Sequence, residues 1–364
     1  QIIYKQFFEE LDEAIGILKA YIKDNPGAKP LASYDKIYGG DFEKWVKFAN
    51  SLKLRLALRI VYVDATTAQQ KAEEAIRDGV FTDNEDNAML KVDGSATVNP
   101  LYMICYTYND SRLGATMESY LKGYEDPRLD IWFAKSEVSE YKDYNGIRCG
   151  SMFTGNDYKI FSNLNVSSST PIQFMNAAEV YFLRSEAALR GWNAGGNEKT
   201  LYESGIMTAF SQPLGATQAK AGDASAYIKG TTLPLPYTDP KNTSYNNASV
   251  GQVSVSWEDA TNFEERLEKI ITQKWIALFP DGQEAWSEFR RTGCPRVIRV
   301  ARNNSGGLID TKKQIARLPY PTNLAKDYPN LYQEAVNNSD LLGGGDNGGT
   351  RLWWDKRSDK PYQN

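Results

Sequence analysis

The sequence predicts a mainly α-helical protein made of paired helices, interrupted by long irregular excursions and a few short strands. Apolar residues recur at helical spacing in successive segments, and short loops rich in Gly, Pro and Asn separate them. With 364 residues, 41% of them hydrophobic, the chain can form a substantial core. The rhythm of helix pairs is typical of stacked, tetratricopeptide-like hairpins, although no strict repeat signature is present.

The first helical scaffold is predicted over residues 1–82. Apolar positions in residues 4–23 share one helical face, and Asp41 begins a long helix that should run to about residue 63. A shorter helix follows at residues 67–78. Basic residues of the long helix lie off its apolar stripe, so we expect them to be solvated or ion-paired. These are Lys44, Lys47, Lys53, Arg55 and Arg59.

An irregular excursion is predicted over residues 83–170. This stretch is rich in Asn, Asp, Gly, Ser and Tyr, and its helical periodicity is weak. Short strands are expected at 131–134 and 158–161. Irregular stretches of this length are commonly functional, so the excursion is the first place to look for a binding site.

A second helical scaffold is predicted over residues 171–300, with a polar insert at 231–258. It begins with a helix over 172–190 and continues with two short helices at 200–210 and 219–229. The remaining residues, 301–364, are predicted to be a coil tail. The whole chain, residues 1–364, is expected to form one domain.

Residues 261–293 predict a helical hairpin with marked ends. Thr261 and Glu264 have the spacing of a capping box, and Pro280-Asp281-Gly282 interrupts the helical pattern. Asp281 with Glu284 then caps the second helix. The large apolar residues of this hairpin are predicted to pack in the core; they are Trp275, Trp286 and Phe289.

The composition excludes several function classes. The chain has no histidine, which excludes Ser-His-Asp and Cys-His catalysis and histidine metal sites. Its formal charge of −4 argues against a nucleic-acid partner. Three cysteines are too few for a disulfide framework or a zinc site. No cofactor and no metal are predicted.

The chain shows no targeting segment of its own. No apolar run approaches the roughly 18 residues that a membrane-spanning helix needs. No signal peptide is visible, because the chain begins directly with an amphipathic helical pattern. We therefore expect that an N-terminal portion, with any localisation signal, is missing from this sequence.

Five strings occur in a fixed order along the chain. They are FEKWVKFANSLKLRLALRI (42–60), GYEDPRLDIWF (123–133), FMNAAEVYFLRSEAALRGW (174–192), EKIITQKWIALFPDGQEAWSEFRRTGCPRV (268–297) and RLPYPTNL (317–324). Together they resemble the SusD/RagB family of nutrient-binding outer-membrane lipoproteins of Bacteroidetes. The similarity covers most of the chain. The order of the strings is more specific than any one of them.

The resemblance implies a location and a role. SusD-like proteins are helical, lipid-anchored at the extracellular face of the outer membrane, and sit as a lid on a SusC-like TonB-dependent transporter. They capture glycans or peptides for import and have no enzymatic activity. Contact with the membrane would be made through an N-terminal lipid, which this sequence lacks. Because the N-terminal portion contributes binding residues in the family, part of the ligand site is expected to be missing too.

Exposed aromatic rings are the predicted ligand-binding groups, because a ring face matches the apolar C–H face of a sugar. Tyr106 and Tyr108 precede a turn, Tyr141 and Tyr144 surround another, and Trp257 ends the second insert. Trp132 belongs to a string that resembles shared framework and is assigned to the core. Tyrosine also fills cores with its hydroxyl group paired, so burial is the competing expectation for each candidate.

Two other functions remain open from the residues alone. A helical glycoside hydrolase would use two carboxylates that flank the scissile bond. The candidate acids resemble turn and capping residues; they are Asp126, Asp130, Glu140 and Asp143. A peptide-binding repeat scaffold would also fit the rhythm of helix pairs. The sequence does not identify the glycan.

Overall fold

The computed structural model describes residues 1–212, 221–338 and 342–361 and confirms the mainly α-helical architecture. The helices are α1 (Ile2–Asp24), α2 (Phe42–Arg59), α3 (Ala65–Asp78), α4 (Pro100–Tyr102), α5 (Ala115–Gly123), α6 (Arg128–Trp132), α7 (Ala177–Leu189), α8 (Glu198–Phe210), α9 (Ala221–Tyr227), α10 (Phe263–Ala277), α11 (Gly282–Thr292), α12 (Thr322–Asp327) and α13 (Pro329–Asn337). Two short strands, β1 (Ala88–Leu90) and β2 (Ile172–Met175), form an antiparallel pair.

Asp and Asn side chains begin the scaffold helices. Each accepts a hydrogen bond from the backbone N–H three residues later, which pairs a donor that the helix itself leaves free. The predicted caps Asp41 and Asp281 are confirmed, at 3.3 Å and 3.1 Å. The further caps of this kind are Asp64, Asn176, Asn197 and Asn262.

The cap of α10 lies one residue later than the sequence predicted. Asn262, not Thr261, is the N-cap, and its side chain accepts from the backbone N–H of Glu265 at 3.0 Å. The Glu265 carboxylate, not that of Glu264, accepts from the backbone N–H of Thr261 at 2.7 Å. Both positions offer a capping oxygen, and the asparagine amide takes the role because asparagine is the stronger cap.

Small and branched apolar residues hold the first scaffold together. Leu54 and Leu58 of α2 are fully buried in the same cluster as Ala68, Ala72 and Ala75 of α3. The three alanines fall at i, i+4 and i+7, so they share one helical face and let the two helices approach closely. The pairing of consecutive helices recurs with α7 and α8, as the rhythm of the sequence predicted.

Several predicted boundaries were wrong. The helix predicted over 172–190 is strand β2 followed by α7, and the long helix α2 ends at Arg59 rather than near residue 63. The helix expected at 219–229 is α9, whose first two predicted residues lie outside the described part. The coil tail contains two short helices, α12 and α13, the second of which begins at a proline.

The strands expected at 131–134 and 158–161 are not formed. The first half of the first segment lies in α6. Before this helix, the Asp126 carboxylate accepts the backbone N–H of Arg128 at 2.9 Å and pairs with its guanidinium group at 2.9 and 2.6 Å. These local bonds turn the chain into a helix. The second falls in a 3₁₀ helix over Gly155–Ile160. The excursion is therefore more helical than its composition suggested.

Buried ion pairs connect helices that are distant in sequence. The guanidinium group of Arg55 on α2 donates to Glu179 on α7 at 2.7 and 2.5 Å, and Arg59 pairs with Glu284 on α11. Arg291 on α11 is fully buried and donates to Glu186 and Glu288. Four of the five basic residues of α2 are thus ion-paired, one of the two arrangements expected; they are Lys47, Lys53, Arg55 and Arg59. Lys44 instead donates to the carbonyl of Glu85.

No helix in the described ranges is both long enough and apolar enough to cross a membrane.

Candidate functional site

The turn between α10 and α11 forms the floor of a cleft with two lobes. Phe279, Pro280, Asp281 and Gly282 line both lobes, together with Leu101. One lobe has a volume of about 270 Å³ and the other about 260 Å³. The first is closed by residues of the excursion and of β2, which are Asn99, Pro100, Trp132, Asn165, Val166, Thr170, Pro171, Ile172 and Gln173.

Aromatic rings form one wall of this cleft. The Trp132 and Phe279 rings stack with their centroids 4.9 Å apart and an interplanar angle of 28°. Trp132 is 6% exposed, as expected for a framework residue, but what remains exposed borders the cleft. Phe279 lies two residues after the end of α10, in the turn of the helical hairpin, so the hairpin itself places this ring. The cleft therefore has an apolar wall of the kind that small-molecule sites use.

Polar groups converge on the same cleft. Asp281 caps α11 through one carboxylate oxygen, and burial raises the pKa of its carboxyl group. Asn165 is exposed, and its amide donates to the carbonyl of Ile131 at 3.0 Å. Gln283 is also exposed and lines the first lobe. A few amide and carboxylate groups on an apolar wall can orient a ligand that carries hydroxyl groups.

Two stacked tyrosines adjoin the cleft. Tyr102 follows Leu101, and its ring lies 5.3 Å from that of Tyr106, at 27°. The Tyr106 hydroxyl donates to the carbonyl of Leu164 at 2.6 Å, next to Asn165 in the cleft wall. The Tyr106 ring is 44% exposed, and burial of the rest raises the pKa of its hydroxyl group. Part of a ring that is held by a hydrogen bond and by stacking is therefore open to solvent, next in sequence and contact to residues that line the cleft.

A π-helix over Met103–Thr107 contains Tyr106 and directly follows Tyr102. It carries one residue more per turn than an α-helix, and such segments are frequent at functional sites. The predicted Tyr108 follows it and is 63% exposed. The structure thus brings Tyr106 and Tyr108 together on one exposed segment, as the turn beside them suggested.

Two of the predicted ring platforms are buried, and their prediction as exposed was wrong. Trp257 is 6% exposed, because it packs against the Tyr202 ring of α8 with centroids 5.1 Å apart. Tyr144 is 9% exposed, and the ammonium group of Lys135 lies 5.4 Å from its ring centroid. Tyr141 is half-buried in a separate 3₁₀ turn, Ser139–Tyr141. These three residues are not gathered at the cleft.

Sequence reasoning missed the contribution of the hairpin turn to the cleft. Residues 279–283 were interpreted only as a helix break and a cap, yet they form the cleft floor. The signal was the Pro-Asp-Gly string itself, because a turn exposes its residues at the surface.

Within the described residues, no group of three or more Cys, Asp or Glu side chains could hold a metal ion.

Comparisons with solved structures find SusD homologues over nearly the whole chain. A chitin-binding SusD homologue from Flavobacterium johnsoniae is 41% identical, with a TM-score of 0.89, covering 98% of this chain and 72% of its own. A homologue from Bacteroides thetaiotaomicron is 38% identical (TM-score 0.86; 98% and 74% covered). A SusD-like protein from the same organism is 33% identical (TM-score 0.90; 99% and 74% covered).

The family model agrees with these structures. The model "SusD-like: Susd and RagB outer membrane lipoprotein" matches residues 1–355. A comparison with curated proteins finds no match. The relatives are helical, as this chain is, and SusD-like proteins bind carbohydrate without catalysis, so the chain is a binding protein and not an enzyme. The chain belongs to the SusD-like family of outer membrane lipoproteins.

Proposed function

We propose that this protein binds a glycan in the two-lobed cleft beside Tyr106 and delivers it to a SusC-like TonB-dependent transporter. Glycan binding at the outer membrane follows from the family. The proposal places the protein at the extracellular face of the outer membrane, held there by an N-terminal lipid and bound to the transporter. The observation that carries the choice of site is the exposed Tyr106 ring beside the cleft.

The geometry suits a sugar in two ways. The exposed part of the Tyr106 ring offers an apolar surface to the C–H face of a pyranose, and the stacked rings of Trp132 and Phe279 offer another inside the cleft. The Asn165 and Gln283 amides offer donors and acceptors to ring hydroxyl groups. The Tyr106 hydroxyl bond fixes the ring before the ligand arrives, which reduces the entropy lost on binding.

Chitin oligosaccharides are the proposed first ligand to test. The 41% identical homologue is described as chitin-binding, and a further structure at 26% identity is described as a chitin-binding protein. The N-acetyl group of such a sugar carries a methyl group that fits an apolar wall and an amide that can bond to Asn165 or Gln283.

Calorimetric titration with a chitin oligosaccharide tests the site. We expect Tyr106→Ala to weaken binding at least about tenfold, equivalent to about 1.4 kcal/mol. Tyr106→Phe keeps the ring and should lose less affinity. Tyr328→Ala is the control, because Tyr328 is 62% exposed and lies on the boundary of α12 and α13, outside the cleft lining. Equal affinity in the wild type and Tyr106→Ala would refute the placement of the site.

Turnover and partner capture test the rest of the proposal. If the protein released reducing ends from the oligosaccharide, and replacing a carboxylate abolished that release, the result would instead support the hydrolase alternative. Co-purification of a TonB-dependent transporter with the lipidated protein from outer membranes would support delivery, and its absence under conditions that preserve other lipoprotein complexes would contradict it. Preferential binding of peptides over glycans would favour the repeat scaffold alternative.

We also infer that the chain forms one domain. Arg55 and Arg59 of the first scaffold pair with Glu179 and Glu284 of the second. Limited proteolysis should therefore give no stable fragment that ends between residues 83 and 170, and a persistent fragment of that kind would contradict a single domain.

A further inference from the structure

A second, polar pocket lies beyond the C-terminal end of α11. It has a volume of about 230 Å³ and is bordered by the chain that follows α11, by the insert at 231–258 and by a turn of the tail. Its lining includes three basic side chains and no carboxylate among the described residues. The polar lining residues are Ser249, Gln252, Arg296, Arg299, Lys312 and Gln314.

The basic residues of this pocket carry more charge than their surroundings neutralise. Arg296 pairs with Glu268, at 2.9 and 3.3 Å, and is compensated. Arg299 and Lys312 form no ion pair with the described part of the chain. The acidic group closest in sequence, Asp310, accepts the backbone N–H of Lys312 at 2.7 Å. Two cations therefore face the pocket without a bound carboxylate.

Arg148 adds a third cation beside the pocket. Its guanidinium group donates to the backbone carbonyls of Arg299, Tyr245 and Asn246, at 2.9, 3.1 and 3.1 Å. Carbonyl oxygens hold the group in place but leave its charge uncompensated. In a chain of net charge −4, this clustering makes one small region electropositive.

The pocket is separate from the cleft beside Tyr106. The cleft is lined by Gly282, the first residue of α11. The pocket is lined by Arg296, which follows Thr292, the last residue of α11. An 11-residue helix is roughly 16 Å long, so the two sites lie at opposite ends of that length. They share no lining residue.

We propose that this pocket binds the carboxylate or sulfate group of an acidic sugar. A guanidinium group offers two parallel N–H donors that match the oxygens of a carboxylate or sulfate group, and Lys312 adds a mobile point charge. The amides of Gln252 and Gln314 can bond to the hydroxyl groups of the same sugar. The Ser249 hydroxyl donates to the carbonyl of Pro234 at 2.6 Å, so its oxygen remains available as an acceptor.

Titration with an oligogalacturonate and with a sulfated disaccharide, at low ionic strength, tests this proposal. We expect the double variant Arg299→Gln, Lys312→Gln to bind the acidic sugar at least about tenfold more weakly than the wild type. The matched control is Arg77→Gln, Lys142→Gln, which removes two exposed cations elsewhere and gives the same net charge. This control should bind as the wild type does.

Three results would overturn the proposal. The first is that the wild type binds neither acidic sugar up to about 10 mM. The second is that both double variants lose the same affinity for the acidic sugar. The third is that inorganic phosphate or anionic lipid vesicles bind in place of the sugars. The cleft and the polar pocket can be tested independently of each other. Chitin oligosaccharide binding should be unchanged in Arg299→Gln, Lys312→Gln, and acidic sugar binding should be unchanged in Tyr106→Ala.

Discussion

Replacing Arg291 by methionine should destabilise the protein strongly at neutral pH. The guanidinium group of Arg291 is fully buried and donates to Glu186 at 2.7 and 2.6 Å and to Glu288 at 2.9 and 2.6 Å. Methionine fills a similar volume but removes the cation shared by two buried carboxylates, so that Glu186 keeps only Arg190 beside it and Glu288 keeps other cations such as Lys274. Removing one partner of a buried pair lowers the free energy of unfolding by about 3–5 kcal/mol when the remaining charge is left uncompensated. The cations that stay beside Glu186 and Glu288 should keep the loss near the lower end of that range.

The effect should depend on pH in a defined direction. Burial opposes ionisation, but Arg291 and Arg190 outweigh it and lower the pKa of Glu186 from 4.5 to about 2. That lowering corresponds to about 3 kcal/mol of stability at neutral pH. Since the pKa is lower in the folded state, this stability is present above pH 4.5 and is lost as the pH falls towards 2.

In Arg291→Met, Glu186 and Glu288 lose the cation that contributes most to lowering the pKa of their carboxyl groups. They should take up protons in the folded state at a higher pH than in the wild type, which relieves their repulsion. The difference in unfolding free energy between wild type and variant should therefore be largest at pH 7 and smaller at pH 4.5.

Urea unfolding followed by circular dichroism measures this difference at both pH values. The control is Lys142→Met, which removes an exposed cation and should change the unfolding free energy by less than about 0.5 kcal/mol. A difference below about 1 kcal/mol for Arg291→Met at pH 7, or one that stays constant between pH 7 and pH 4.5, would refute the reasoning.

Three further predictions concern the scaffold, and urea unfolding measures each. Leu54→Ala, at a fully buried position, should lower the unfolding free energy by about 2–5 kcal/mol. Asn176→Ala removes a buried cap whose amide also donates to a carbonyl of α10, so the unfolding free energy should fall by about 2–3 kcal/mol. Asn197→Ala removes an exposed cap and should lower it by only about 1 kcal/mol. In Gly123→Ala the new Cβ would lie 2.5 Å from a proline Cα atom, so the unfolding free energy should fall by about 1–3 kcal/mol. Gly16 has open space around it, so Gly16→Ala should raise the unfolding free energy by about 0.5–1 kcal/mol. Equal effects within either pair would contradict the packing described.

The helices that the sequence predicted best are those with local signals at both ends. Asp281 begins α11 and Gly293 ends it in the left-handed conformation, as a capping residue and a terminal glycine indicate. Strand β2 was missed because four residues are too few to separate a period of 2 from a period of 3.6. Its pairing with β1 joins residues more than 80 positions apart, which no local pattern records.

The candidate site was only partly predictable for the same reason. The exposure of Tyr106 and Tyr108 was predictable because turn residues beside an aromatic ring favour its exposure. The burial of Trp257 depends on Tyr202, which packs on it from another helix. The cleft arises where residues near 100, 170 and 280 meet, so its existence is a property of the tertiary structure alone.

The ion pairs between α2 and the later helices also constrain how the chain reaches its native state. Arg59 and Glu284 are 225 residues apart, and Arg55 and Glu179 are 124 apart. A nascent chain therefore carries two inward-facing arginines on α2 long before their partners are synthesised. Because contacts at such separations form late, the N-terminal scaffold should stay vulnerable to proteases and dependent on chaperones until the last third of the chain is available.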